Sequence, residues 1–388
     1  MSELSTLERE QLYSIDIYPK RELTVVRGEG AHVYDDTGRE FIDCAAGIGV
    51  ASVGHANPAV AKAVAEQASK LITCPGIFHN DVRAAFLEKL VSVAPKGLER
   101  AFLCNSGTEA VEAALKFARH TTGRPNIIAT MRGYHGRTMG ALSATHKKEY
   151  REPFQPLPSG FTYVPYNKAE KLAATIDETT AAVIVEVVQG EGGIRPANAE
   201  FLHAARQLCD EHGALLIVDE VQTGFCRTGR MFGCEHFNLK PDLLCLAKAM
   251  AGGVPMGAVL ASDKVQPLRG LHGSTFGGNP LACAAGLAAL EYMIDNDLAA
   301  EAERKGQLFA ERFAAKKSAA VRDVRQLGLM IGIELKERAQ PFIVKLMEHG
   351  ILALPAGPTV LRLLPPLVVT DRDIETVVDT LHEVLEAE

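Results

Sequence analysis

No run of Lys or Arg in this 388-residue chain is longer than a dipeptide. Binding to a phosphate backbone needs a clustered basic surface, and the formal balance here is −7, so a nucleic-acid partner is not expected. The eight cysteines show no CxxC or other metal-ligand spacing. Several lie in apolar runs, as Cys245 does in LLCLAK, where a thiol packs as a small hydrophobe, so no metal site is expected. The N-terminus, MSELSTLEREQ, lacks the basic and apolar regions of a signal peptide, which points to a reduced, cytoplasmic setting. Residues 270–290 carry no formal charge with His neutral, but GLHGSTFGGNP is too polar and Gly-rich for a span. Only Leu281 to Leu290 reads as an apolar helix there, so no membrane segment is expected. Internal repeats, low-complexity tracts and long linkers are also missing.

What is present is ample material for a core: 47% apolar and 23% charged residues, ordinary for a globular protein. At about 150 residues per domain the length suggests two or three. Between residues 100 and 262, short apolar runs alternate with helical patterns: RAFLCN, NIIATM, AAVIVEVV, ALLIVDE, DLLCLAK and GAVLAS. Strands apolar on both faces belong to a mainly parallel sheet covered by helices, giving an α/β doubly wound fold. Residues 198–212 read as a helix with Phe201, Ala205, Leu208, Cys209 and His212 on one face, stopped by Gly213. The last hundred residues differ. A charged helix near 298–316 precedes the strand candidates VRDVR, GLMIGIEL, ILALP and VLRLLP, and a final helix opens at Thr370 and Asp373. The expected division is a large α/β domain over 51–290 and a small α+β domain built from 1–50 and 291–388.

Three features fall at strand C-terminal ends, where such sheets bind ligands. Asn105-Ser106-Gly107-Thr108-Glu109 joins a strand to a helix, and the free N–H groups of a helix N-terminus attract phosphate; the same residues also make an ordinary capping turn. Asp219 ends ALLIVDE, where a carboxylate needs a cation or a proton-bearing nitrogen; a Lys or Arg salt bridge would serve. Lys248 ends DLLCLAK, where burial turns an amine into a Schiff-base nucleophile; it could equally snorkel to the surface or pair with Asp219. Jointly, a phosphate cradle, a carboxylate for a ring nitrogen and a reactive lysine meet the needs of pyridoxal 5′-phosphate (PLP).

At this point the chain resembles the class III (ω-amino-group) PLP-dependent aminotransferases, from about residue 18 to 385. The motifs that carry the resemblance are AGIGVASVGHANP, NSGTEAVEAALKFAR, GYHGRTMGALS, VEVVQGEGGI, LLIVDEVQTGFCRTG, LAKAMAGGVPMGA and GSTFGGNPLACAA. Within the class it is similar to the acetylornithine type and to the relatives that act in carrier-protein-dependent lysine synthesis. The resemblance implies fold type I and one PLP per subunit, bound through Lys248, which also carries the proton. It implies Asp219 at the pyridine nitrogen and Gln222 near the ring's phenolic oxygen. Gly107 and Thr108 would cradle the phosphate, and Tyr134 would stack on the ring, its hydroxyl needing a partner. Thr275 would reach a phosphate in the neighbouring subunit, which makes the protein a homodimer. For substrates, it implies Arg362 on the α-carboxylate of glutamate or 2-oxoglutarate, Glu191 pairing with Arg362 when an ω-amine is bound, and Arg137 on the distal carboxylate. Ser274 is a further substrate contact. His55, His135 and His272 are read as structural or pocket-lining, because Lys248 already supplies acid–base function.

Some positions depart from the family pattern. Ala51 replaces a frequent Asn, CPGIFHN at 74–80 replaces an SN-containing stretch, and Ile48 replaces the Tyr of enzymes that handle free ornithine. The expected reaction is therefore transfer of the terminal amino group of an N2-protected ornithine or lysine to 2-oxoglutarate, in arginine or lysine biosynthesis. The protecting group is acetyl or an acidic carrier protein. Other ω-aminotransferases and aminomutases use the same scaffold; a stoichiometric need for 2-oxoglutarate separates an aminomutase from this reading.

Overall fold

The computed structural model describes residues 4–266 and 269–386; residues 1–3 and 387–388, at the outer ends of the two expected small-domain ranges, and 267–268 lie outside the description. The strands in chain order are β1 (Val25–Glu29), β2 (His32–Asp35), β3 (Glu40–Asp43), β4 (Leu98–Cys104), β5 (Asn126–Thr130), β6 (Phe161–Val164), β7 (Thr180–Val185), β8 (Val188–Gln189), β9 (Arg195–Pro196), β10 (Leu215–Asp219), β11 (Leu243–Leu246), β12 (Gly257–Ser262), β13 (Val321–Leu327), β14 (Met330–Leu335), β15 (Ile351–Leu352), β16 (Leu354–Pro355) and β17 (Val360–Leu363).

The apolar runs of the middle of the chain form a seven-stranded sheet in the order β4-β12-β11-β10-β7-β5-β6. Only β12 runs against the others. Every residue of β7, β10, β11 and β12 is buried, the pattern of strands covered on both faces. Two details differ from the sequence reading. The edge strand β6, FTYV, alternates exposed and covered positions and has no continuous apolar run to mark it. The run AAVIVEVV is broken: β7 stops at Val185, and Val188–Gln189 pairs with β9 instead. Glu186 lies at the break, its carboxylate taken by backbone N–H groups of other loops.

The helix Ala199–His212 starts at Asn198, whose side chain accepts from the Phe201 N–H at 2.7 Å, and ends at Gly213 with φ 64°. Its buried residues are Phe201, Leu202, Ala205 and Cys209; Leu208 and His212 are only half-covered, a small rotation from the expected face. The last helix, Asp371–Glu386, is capped reciprocally. Thr370 Oγ1 accepts from the Asp373 N–H, and Asp373 accepts from the Thr370 N–H. Ile374, Val377, Val378, Leu381 and Leu385 are buried along it.

Outside the central sheet, β13-β14-β17-β16 form an antiparallel sheet, and β1-β2-β3 form a second small one. The chain splits ILALP between these two: β15 pairs parallel with β3, Ile351 opposite Ile42, and β16 pairs with β17. Chain segments some 300 residues apart thus share one sheet. Among the described residues, no helix is long and apolar enough to cross a membrane, and no group of three or more His, Cys, Asp or Glu is arranged to hold a metal.

Candidate active site

Parallel strands of the central sheet point their C-terminal ends at one cavity of about 480 Å³. β4 leads into Asn105–Thr108, β7 into Glu186, β10 ends on Asp219, and β11 leads through Ala247 to Lys248; all these residues line it. The helix Gly107–Thr122 begins at the cavity wall. Ser106 Oγ caps it by accepting from the Glu109 N–H, while Glu109 accepts from the Asn105 N–H at 3.0 Å and the Ser106 hydroxyl at 2.9 Å. The first-turn N–H groups have no partners within a helix, so Gly107 and Thr108 present donors to an anion. A Cβ on Gly107 would lie 2.7 Å from Val221 Cγ1, so this position on the cavity wall has no room for a side chain. Thr108 shares a 2.7 Å hydrogen bond with Thr138.

Asp219 is buried, and the group that satisfies it is neither a lysine nor an arginine. Its Oδ2 lies 2.7 Å from His135 Nδ1, and its Oδ1 accepts from the Val221 N–H. His135 is itself buried. Burial pulls its pKa down, but the bond to Asp219 and that carboxylate's charge outweigh this and leave it raised. The sequence reading placed His135 as pocket-lining without seeing this pair. The signal was there in GYHG: one residue after Tyr134 is an imidazole able to reach a strand-end carboxylate. Glu186, buried beside them, was not singled out, and burial first, then Asp219's charge, push its pKa up to about 7 against the opposing effect of His135.

Lys248 makes no ion pair or hydrogen bond among the described residues. Its pKa is lowered to about 8, first by burial and then by the Arg362 charge, against the carboxylates of Glu191, Asp219 and Glu186. Its φ of 47° is left-handed, a conformation that a non-glycine residue adopts rarely and at a cost. Arg362, on β17, is buried and joins Glu191 Oε1 at 2.6 Å; the same nitrogen lies 3.4 Å from Gln222 Oε1. The Arg362 Nε is buried without a partner among the described residues.

Tyr134 is half-buried on the cavity wall, and its hydroxyl accepts from Arg137 Nε at 3.2 Å, the partner that replacement of Phe by Tyr requires. Arg137 is exposed and lies 3.8 Å over the Tyr150 ring. Ser274 and Thr275 do not line this chain's cavity. Ser274 accepts from Asn105 Nδ2 at 3.1 Å, whereas Thr275 and the next residue, Phe276, are exposed, as is Leu271. His55 pairs with Asp43 at 2.7 Å and His272 with Lys116 at 2.9 Å, both away from the cavity. Val50 lines it; Ile48, two residues before, is exposed, and Ala51, the next residue, is buried.

These residues fit PLP: a helix N-terminus opening at a glycine with no room for a side chain, an amine of lowered pKa with no partner among the described residues, and a carboxylate held by a histidine. Fold and cavity together are those of fold type I PLP-dependent enzymes. The chain belongs to the class III aminotransferases, whose family profile matches residues 17–385. It is 51% identical over 386 residues to the [LysW]-aminoadipate semialdehyde transaminase of Deinococcus radiodurans, covering 98% of this chain and 90% of that one. It is 46% identical over 380 residues to the acetylornithine aminotransferase of Methanosarcina acetivorans, covering 98% and 96%. Among solved structures, the ornithine aminotransferase of Toxoplasma gondii superposes with a TM-score of 0.93 at 34% identity, covering 98% of this chain and 94% of that one. The protein is accordingly a PLP-dependent aminotransferase.

Proposed function

We propose that this aminotransferase moves the terminal amino group of an N2-protected diamino acid to 2-oxoglutarate, giving a semialdehyde and glutamate. The observation that carries the reading is the contact between Arg362 and Glu191. The guanidinium fork of Arg362 suits the α-carboxylate of glutamate or 2-oxoglutarate, and Arg137 at the cavity's outer wall suits the distal carboxylate. A terminal amine brings no carboxylate to Arg362. Glu191 then neutralises that charge, so one cavity takes a dicarboxylate in one half of the cycle and an amine in the other. The bound cofactor supplies the electron sink that stabilises the carbanion formed at the substrate carbon. With PLP bound, Asp219, kept in place by His135, would present a negative charge to the ring nitrogen, Gly107 and Thr108 would hold the phosphate, Tyr134 would cover the ring and Gln222 would serve its phenolic oxygen. Lys248, as a free amine, takes a proton from one carbon and returns it to another.

The rim of the cavity bears on the protecting group. Residues 131–151 carry five Lys and Arg against one Glu in a chain of net −7. Arg132, Arg137, Lys147 and Lys148 are exposed, and none has a carboxylate within ion-pair distance among the described residues, unlike Arg195, Arg206 and Arg325. Lys147 and Arg137 both lie over the Tyr150 ring, which meets Tyr134 edge-on at 6.2 Å. A cationic rim contiguous with the cavity wall suits an acidic carrier protein, so lysine linked to such a carrier is the favoured substrate. Charge reversal at Lys147 and Lys148 tests this. The Lys147→Glu/Lys148→Glu variant should lose roughly tenfold in kcat/KM toward the carrier-linked substrate at low salt and keep its value toward N2-acetylornithine. Equal loss on both substrates would contradict the carrier reading.

The same reading includes a homodimer, with Ser274 and Thr275 serving the neighbouring cavity. The exposed apolar surface of Ile77, Phe78, Leu271 and Phe276 supports it. It also includes a cytoplasmic setting, supported by cysteines that are all free and mostly buried. A large domain of 51–290 and a small one of 1–50 with 291–388 are supported by the separate sheets.

A further inference from the structure

We propose that Glu186 is a positioning residue: one buried carboxylate holds both the loop that carries Tyr134 and the loop that carries Glu191, and thereby sets how readily Glu191 covers Arg362. This rests on the reading of Glu191 as the group that masks Arg362. Glu186 follows the last residue of β7 and lines the cavity. Its Oε1 accepts from the Tyr134 N–H at 3.0 Å, and its Oε2 accepts from the Gly190 N–H at 3.2 Å. The residue after Gly190 is Glu191, whose Oε1 is 2.6 Å from Arg362. The backbone of Glu186 is fixed in turn, because its carbonyl accepts from the Tyr166 hydroxyl at 2.7 Å.

The chemistry demands an acceptor on both sides. An ionised carboxylate takes two N–H bonds, one on each oxygen. A carboxamide or a protonated carboxyl offers one good acceptor and places a donor against the other N–H. That conflict breaks one tether, and the longer bond, to Gly190, is the weaker of the two. The charged groups around Glu186 are Asp219, His135 and Lys248, with the Tyr166 phenol close by. Burial raises its pKa to about 7, while the two N–H bonds act in the opposite direction and favour the ionised form that accepts both. Gly190 itself has no room to adjust by its side: a Cβ there would meet Gln222 Oε1 at 2.3 Å. The Glu191 loop is thus closely packed, and Glu186 holds its first N–H.

Glutarate tests the inference because it carries the two carboxylates of 2-oxoglutarate without the keto group and cannot react. Its affinity for the cofactor-loaded protein, measured by calorimetry, reads how far Glu191 competes for Arg362. Glu191→Gln should tighten glutarate binding. Glu186→Gln should tighten it roughly two- to tenfold, the effect of one hydrogen bond, and the double variant should gain no more than Glu191→Gln alone. Glu186→Gln should also slow the terminal-amine half-reaction relative to the glutamate half-reaction. A merely structural residue would weaken binding and slow both halves alike. Additive gains, or unchanged or weaker binding in Glu186→Gln beside a tighter Glu191→Gln, would overturn the inference and leave the masking reading intact. Unchanged binding in Glu191→Gln would overturn both. If Glu186→Gln does not fold, Glu186→Asp, which withdraws the charge by one methylene from both donors, should tighten glutarate binding in the same way; failure to do so overturns the proposal.

Discussion

At the scale of single residues, the proposed chemistry rests on an amine that burial has weakened as a base. With its pKa lowered to about 8, chiefly by burial and then by Arg362, Lys248 is neutral in roughly one molecule in ten at pH 7, against fewer than about one in a thousand for an ordinary lysine. Only the neutral amine attacks a carbonyl, so reactivity grows as pH rises through that value. Capture of PLP by the apoprotein, followed by the shift of the absorbance band that separates a lysine Schiff base from free PLP, should accelerate between about pH 7 and pH 9 with a midpoint near 8, and Lys248→Ala should abolish that shift. A flat profile, or a shift that persists in Lys248→Ala, would remove Lys248 from its role. The placement of Asp219 and Lys248 at the cavity was legible because in each case a charged group closes an apolar run. The partner of Asp219 was not, since the imidazole of His135 comes from a loop 84 positions away and no local pattern marks the meeting. Glu186 escaped for the opposite reason: it lies inside an apolar run and looks like part of a strand.

At the scale of elements, the junction of β4 with the helix Gly107–Thr122 is the most constrained part of the site. Gly107→Ala places a methyl against Val221 at the proposed phosphate cradle. The variant should lose about 1–3 kcal/mol of stability through overpacking. It should also bind PLP more weakly, measured by cofactor titration of the apoprotein. Wild-type affinity in the variant would show that the cradle lies elsewhere. The helices announced themselves through caps, Asn198 and Gly213 at one and Thr370 with Asp373 at another, because capping is a local contest for backbone groups. Strand ends were less legible. Whether ILALP is one strand or two depends on β3 and β17, which approach it from opposite ends of the chain.

For the whole molecule, net charge misleads while local charge informs. The overall −7 coexists with a cationic stretch along 131–151 and with Lys248 and Arg362 behind it. Association with an acidic carrier should therefore weaken as salt rises, whereas turnover of a small acetylated substrate should change little. In the proposed homodimer the exposed side chains of Ile77, Phe78, Leu271 and Phe276 would be covered, and the protein should sediment at twice the monomer mass over a wide concentration range. A stable, active monomer would exclude a shared cavity.

The most direct test of the central claim is a paired steady-state assay of the purified, PLP-loaded protein with carrier-linked lysine and with N2-acetylornithine, following glutamate formed from 2-oxoglutarate. The account predicts one glutamate per semialdehyde, no turnover without the keto acid, and a higher kcat/KM for the carrier-linked substrate. Turnover that proceeds without 2-oxoglutarate would contradict it.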